Sequence, residues 1–201
     1  MEGLAERTSA VLQQSKQEVE ALLNADDWRH IGVSNDVESW VRSTESGINM
    51  IKAIGIIQAE PEAIRERVMD YARKHEWDEM IVVSERIAAF SDDLVILHQQ
   101  FKLTFPASNR DFVFGAAIYR ENNKITIIGR SIDAGVPEVS GVVRGEVMTS
   151  CFILEPTESG TRVIYLANVD PKGMLPHIVV NYVAKSQGQN IHRIRQVMAR
   201  Q

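Results

Sequence analysis

One cysteine in 201 residues, Cys151, excludes an intramolecular disulfide. It lies in an apolar, strand-like run, so it reads as a buried and inert thiol that suits a reducing compartment. Charge of one sign is lacking too: 22 Lys and Arg stand against 27 Asp and Glu, well mixed, for a net charge of −5. No sequence-wide basic field exists to hold nucleic acid or an anionic membrane, and any membrane contact should be local and transient. Long apolar runs are missing. Glu2, Glu6, Arg7, Lys16, Glu18, Glu20, Asp26 and Asp27 leave no export segment near the start, and no later window approaches the ~20 apolar residues that span a bilayer. These absences predict a soluble, cytoplasmic protein. Nor is there a catalytic or metal signature: His30, His75, His98, His177 and His192 are scattered, none pairs with another at metal-ligand spacing, and neither a nucleophile elbow nor a phosphate-binding glycine loop occurs. No catalytic residue, metal or cofactor is expected.

What is present is enough apolar material, 44% of residues, to bury a sizeable core in one domain spanning 1–201. Leu4, Val11, Leu12, Val19, Leu22 and Leu23 keep helical spacing between polar residues, which predicts an amphipathic N-terminal helix. Runs at 28–33, 37–42 and 48–58, broken by Ser34-Asn35-Asp36 and Glu45-Ser46-Gly47, predict a three-stranded meander. Pro61 suits the first turn of a helix over about 61–73, and Trp77-Asp78 follows it. Strand-like runs then occupy 80–89, 93–105, 112–120, 124–133, 142–155 and 161–170, with short polar connections that imply antiparallel neighbours. From Leu175 to Met198 a helical stripe holds Leu175, Ile178, Val179, Tyr182, Val183, Ile191, Ile194, Val197 and Met198. The sum is an α+β fold: a curved antiparallel sheet around one long C-terminal helix, with no internal repeat or low-complexity linker.

Such a sheet has a concave face that one helix need not fill, so the interior is either packed solid or holds a ligand. Alternation puts Val95, Leu97, Gln99, Phe101, Leu103 and Phe105 on one face and Ile96, His98, Gln100, Lys102 and Thr104 on the other. Gln99 is therefore a polar group on the more apolar face. Leaving its amide unpaired would cost about 1–3 kcal/mol, so a neighbouring side chain or a bound ligand must meet it.

Three motifs follow one another at fixed distances: Phe105-Pro106-Ala107-Ser108-Asn109-Arg110-Asp111-Phe112-Val113, Gly141-Val142-Val143-Arg144 and Asp170-Pro171-Lys172-Gly173-Met174-Leu175-Pro176. With the N-terminal helix, Trp28, Trp77-Asp78 and the C-terminal helix, they cover nearly the whole chain and resemble a START domain, the StAR-related lipid-transfer module. The resemblance implies a helix-grip fold with an internal tunnel for one lipid. It also implies a lid formed by the loop at 104–111 and the C-terminal helix, and no enzymatic chemistry. Members of this family bind sterols, phosphatidylcholine and related phospholipids, or ceramide. Arg110, Asp111 and Arg144 match structural positions, with Arg110 expected to anchor its loop by pairing with a carboxylate, and Lys172-Gly173 expected to turn into the last helix.

On the same resemblance, Ala116 stands where sterol-carrying members have an arginine, with Gln99 near the position of its acidic partner. The choline-cage positions are Gln99, Phe112 and Met148, which leaves at most one aromatic. The ceramide-bonding positions are Asp78, Gln99, Gly129 and Tyr165, so three of four polar types match. The resemblance thus ranks a polar-headed lipid of ceramide or phospholipid type first and a sterol second. Asp78, Gln99, Phe101, Phe112, Met148, Tyr165, Val179 and Tyr182 are the candidate lipid contacts. Phe105, Pro106, Met174, Leu175 and Pro176 are the candidate lid and membrane contacts, and the protein is expected to act as a monomer. A lipid-responsive interaction module without transfer activity is the alternative, and a helix-grip enzyme is a more distant one.

Overall fold

Asn35 and Asp36 both sit at positive φ, 54° and 55°, and fold β1 (Arg29–Ser34) back on β2 (Val37–Ser43). Asn122 and Asn123, at 51° and 61°, do the same between β6 (Arg110–Glu121) and β7 (Lys124–Ser131). Short polar residues tolerate this left-handed conformation, and paired in two-residue loops they match the twist of a hairpin. The computed structural model describes residues 2–44, 47–103, 107–173, 175 and 186–200. Its remaining elements are α1 (Glu2–Leu23), β3 (Asn49–Ile57), α2 (Pro61–Met69), β4 (Ile81–Ser91), β5 (Leu94–Phe101), β8 (Val143–Arg144), β9 (Glu146–Thr157), β10 (Gly160–Asp170) and α3 (Asn190–Met198). A 3-10 turn, Tyr71–Glu76, follows α2.

Nine strands form one path, β1-β2-β3-β10-β9-β7-β6-β5-β4, in which every pairing is antiparallel. The meander at 28–58 and the hairpins after it were legible from their turns. The non-sequential step, β3 beside β10, joins the meander to the rest. The run at 142–155 is not one strand: β8 pairs in parallel with the start of β6, and the chain breaks at Gly145 before β9.

Side-chain alternation divides the sheet into two faces. On the outer face α1 lays Leu12 and Val19 against Ala117, Ile128, Cys151, Ile153 and Ile164. Gly115 makes this approach possible, since a Cβ there would lie 2.6 Å from Thr8 Cγ2 and 3.3 Å from Leu12 Cδ1. On the inner face α2 and α3 contribute Ile64, Val68, Ile191 and Ile194 to a cluster with Ile118, Ile127, Phe152, Leu154 and Tyr165. Arg195 fastens α3 by donating to the carbonyls of Ile56 (2.9 Å) and Asn35 (2.9 Å). The helix expected over 61–73 is shorter: α2 stops at Met69, and Asp70, at φ −78° and ψ 76°, leaves the helical region and accepts from Arg73 N to start the 3-10 turn. Of the long C-terminal helix, 186–188 and α3 are helical; 176–185 lie outside the described residues.

Candidate functional site

Between the inner face, the 3-10 turn and the segment before α3 lies a cavity of about 450 Å³. One end is bordered by Gly47, Asn49, Lys172, Gly173 and Leu175, and the other by Met69, Tyr71 and Ala116. The wall is mainly apolar, with Leu97, Phe101, Leu103, Phe112, Phe114, Ile127 and Phe152 among its residues. Phe101 and Phe112 meet edge to face at 5.6 Å, and Phe152 packs on Tyr165 at 4.6 Å.

A few polar groups interrupt this wall. Lys74 and Asp78 come from the 3-10 turn and its exit, where Asp78 N donates to the Lys74 carbonyl at 2.9 Å, one helical turn that aims both side chains into the same space. Burial lowers the Lys74 ammonium below its ordinary value, only partly opposed by the Asp78 charge. Burial likewise raises the Asp78 carboxyl, against the pull of Lys74 and of the Met80 N–H that it accepts at 3.2 Å. The Lys74 ammonium rests over the Trp77 ring at 4.7 Å and makes no salt bridge or hydrogen bond at contact distance among the described residues. Trp77 Nε1 is buried without an acceptor among the described residues. Gln99 donates from Nε2 to Ser84 Oγ at 3.1 Å, while its carbonyl oxygen accepts no hydrogen bond among the described residues. A neighbour thus meets half of the amide. Tyr165 donates to Gln187 Oε1 at 3.0 Å, and burial, then the nearby Asp78 charge, pushes its hydroxyl pKa up.

Asp78, Gln99, Phe101, Phe112, Tyr165 and Leu175, named from the sequence, all line this cavity, as does Gly129. At Gly129 a Cβ would lie 3.3 Å from the Phe114 ring, so the space a polar side chain would use is taken by an aromatic one. Met148 is not on the wall. Thr149 pairs with Asn168 and Val147 with Val169, so Met148 is the extra residue of a bulge and Val147 faces the cavity instead. Val179, Tyr182, Phe105, Pro106, Met174 and Pro176 lie outside the described residues. Lys74, Trp77 and Asn190 line the cavity without having been singled out as contacts. The spacing Lys74–Asp78, four residues apart beside a helix, was the available signal for the lysine.

Arg110 and Asp111 point to opposite faces. Arg110 lines the cavity, and its expected carboxylate partner is replaced by backbone: it donates to the carbonyls of Ser108, Pro171 (3.0 Å) and Lys172 (3.1 Å). It thereby ties the loop before β6 to the loop after β10. Asp111 is fully buried on the outer face, where it accepts two bonds from Arg144 and one from His98 Nε2. The other ring nitrogen of His98 faces Glu85 at 3.0 Å, away from Gln99 and the cavity. Among the described residues no group of three or more His, Cys, Asp or Glu could hold a metal ion, and no helix is long and apolar enough to cross a membrane.

Residues 11–198 match the model of the START domain family. The chain is 26% identical over 172 residues to the phosphatidylcholine transfer protein of Mus musculus, covering 82% of this chain and 79% of that protein. It is 25% identical over 175 residues to the mitochondrial steroidogenic acute regulatory protein of Rattus norvegicus, covering 76% of this chain and 61% of that one. Among solved structures, human StAR-related lipid transfer protein 5 superposes with a TM-score of 0.82 at 22% identity, over 94% of this chain and 96% of the other, and so shares the fold.

Proposed function

This chain belongs to the START domain family, and on that premise we propose that it binds one lipid in the 450 Å³ cavity and transfers it between membranes. The family is one of lipid-transfer proteins and not of enzymes. The ligand is a polar-headed lipid of ceramide or phospholipid type. One observation carries this reading: in an otherwise apolar cavity, the Lys74 ammonium makes no salt bridge among the described residues and the Asp78 charge only partly offsets its burial, while a Gln99 carbonyl oxygen that accepts no hydrogen bond among those residues lines the same space as Asp78 and Tyr165. Buried polar groups without partners are costly, and a headgroup that meets them turns that cost into affinity. A phosphate suits Lys74, whereas a cationic or hydroxyl donor suits Asp78 and Gln99. Phosphate-bearing heads are therefore favoured over ceramide.

The lipid enters where Arg110 joins the two loops, with Leu175, Phe105, Pro106, Met174 and Pro176 as transient membrane contacts. Extraction exposes acyl chains at ~0.8 kcal/mol per wetted methylene, which favours opening against a bilayer rather than in water. The protein acts as a monomer in the cytoplasm.

Native mass spectrometry of the purified protein, with identification of released lipid and a screen across phospholipids, ceramides and sterols, tests this. A one-to-one adduct with a phospholipid or ceramide is expected. Sterol alone would overturn the headgroup assignment, and no adduct with any class would overturn lipid binding.

A further inference from the structure

At the end of the cavity away from Lys172 and Leu175, a thin apolar partition separates it from an outer cleft of about 540 Å³. Met69 and Tyr71 line both spaces. Along β5 the crossing takes two residues, since Val95 lines the cleft and Leu97 the cavity, about 7 Å apart at the rise of a strand. Val95, Leu97 and Ala116 form an apolar cluster of their own, packed against Met69, Tyr71 and Phe114.

The backbone beneath this partition is a joint. Met69 is the last residue of α2, Tyr71 the first of the 3-10 turn, and the non-helical Asp70 lies between them. Met69 has three rotatable side-chain bonds and no branch, which lets it repack at little cost. On the far side, the Arg86 guanidinium covers the Tyr71 ring at 5.6 Å and makes no ion pair among the described residues.

Size gives the partition a task. A cavity of 450 Å³ sits low in the ~300–1,000 Å³ range that holds drug-sized ligands, and a lipid with two acyl chains is larger than such a ligand. An acyl chain that outgrows the cavity along β5 meets Met69 and Tyr71. We propose that Met69 and Tyr71 form a yielding partition that sets the acyl-chain length this protein accepts, the longer chains displacing them into the outer cleft. This rests on the lipid-binding function proposed above. The stem of Arg86 then covers the emerging chain end while its charged head stays in water.

Two measurements test it. Phosphatidylcholines of graded acyl length, mixed in one vesicle population, compete for the protein, and bound species are read by mass spectrometry. Met69→Ala and Tyr71→Ala are expected to shift the bound distribution toward longer chains and Met69→Phe toward shorter ones, each accommodated methylene being worth about four-fold in affinity. Arg86→Ala, which leaves the core untouched, removes the cover over an emerging chain end, is expected to shift the distribution toward shorter chains, and serves if the other variants fold poorly. Independently of lipid, acrylamide quenching of Trp77 in a Trp28→Phe, Trp40→Phe background should rise with Met69→Ala or Tyr71→Ala. Folded variants that bind lipid with unchanged chain preference overturn the partition's role and leave the proposed function standing. A wild-type protein that takes up no lipid overturns both, and raised quenching in the variants then leaves Met69 and Tyr71 only as a barrier to small solutes.

Discussion

Asp111 and Arg144 meet through two parallel hydrogen bonds, Nε to Oδ1 at 3.0 Å and Nη2 to Oδ2 at 2.9 Å, on the face of β6 opposite the cavity. The pair joins β6 to β8, and Arg144 also reaches the carbonyl of Pro137 at 3.0 Å, so one guanidinium fixes the long connection between β7 and β9. His98 adds a third bond to the same carboxylate. Burial alone would raise the Asp111 pKa, but the bonds from Arg144 and His98 outweigh it and hold the carboxyl below its ordinary value.

Asp111→Asn is therefore expected to destabilise the fold by about 1–3 kcal/mol at neutral pH, since it weakens charge-assisted hydrogen bonds while Arg144, partly exposed, keeps the Pro137 carbonyl. Because the folded-state pKa is depressed, the contribution of Asp111 is complete above its unfolded value, near 3.9, and fades as pH falls through the folded one. Urea unfolding of wild type and variant at neutral pH and at pH values below the unfolded pKa should show the gap narrowing with acid. A gap that is constant in pH would contradict the ionic role.

Lys74→Met should weaken the binding of phosphate-bearing lipids by about ten-fold or more, the scale of a hydrogen bond to a charged group, and leave ceramide and sterol binding unchanged. Stability should not fall. Burial lowers the Lys74 pKa in the folded state, so the unfolded chain holds that proton more readily and the charge opposes folding at neutral pH. Vesicle-binding assays with matched headgroups, beside a thermal melt, separate the two effects.

Gln99→Leu should weaken lipid binding about two- to ten-fold, the worth of one neutral hydrogen bond, with folding largely intact. Its amide donates to Ser84 on the edge strand β4, and that hydroxyl oxygen accepts from solvent when the amide is removed. Equal lipid affinity in titrations of both proteins would count against the role of Gln99.

Gly115→Ala should loosen α1. The new methyl would meet Thr8 Cγ2 at 2.6 Å, so helix or sheet must shift, at about 1–3 kcal/mol for overpacking of this kind. Hydrogen exchange is expected to rise in α1 and the facing part of β6 before it rises in β9 or β10.

The architecture was legible wherever it depended on local chemistry. Asn35-Asp36 and Asn122-Asn123 mark hairpins because short polar residues accept positive φ, and the alternation of Leu97, Gln99 and Phe101 against His98 sorted cavity from outer face correctly. What failed depended on distant contacts. The strand-like run breaks at Gly145, where only glycine fits because a Cβ would strike the Phe112 ring, a contact no local pattern reveals. Met148 was misplaced by a bulge whose partner lies on β10. Arg110 was expected to find a carboxylate, yet the carbonyls of Pro171 and Lys172, some sixty positions along the chain, converge on it instead. The cavity position of Lys74 was readable from its spacing to Asp78 once that acid was assigned to the wall.

β1 and β4, the two ends of the sheet, are not paired with each other among the described residues. A closed barrel has a girth fixed by its strand number and stagger, whereas a sheet whose end strands do not pair can widen by a small change of curvature spread over eight strand pairings, with every ladder bond kept. The volume enclosed is then an elastic property of the wall.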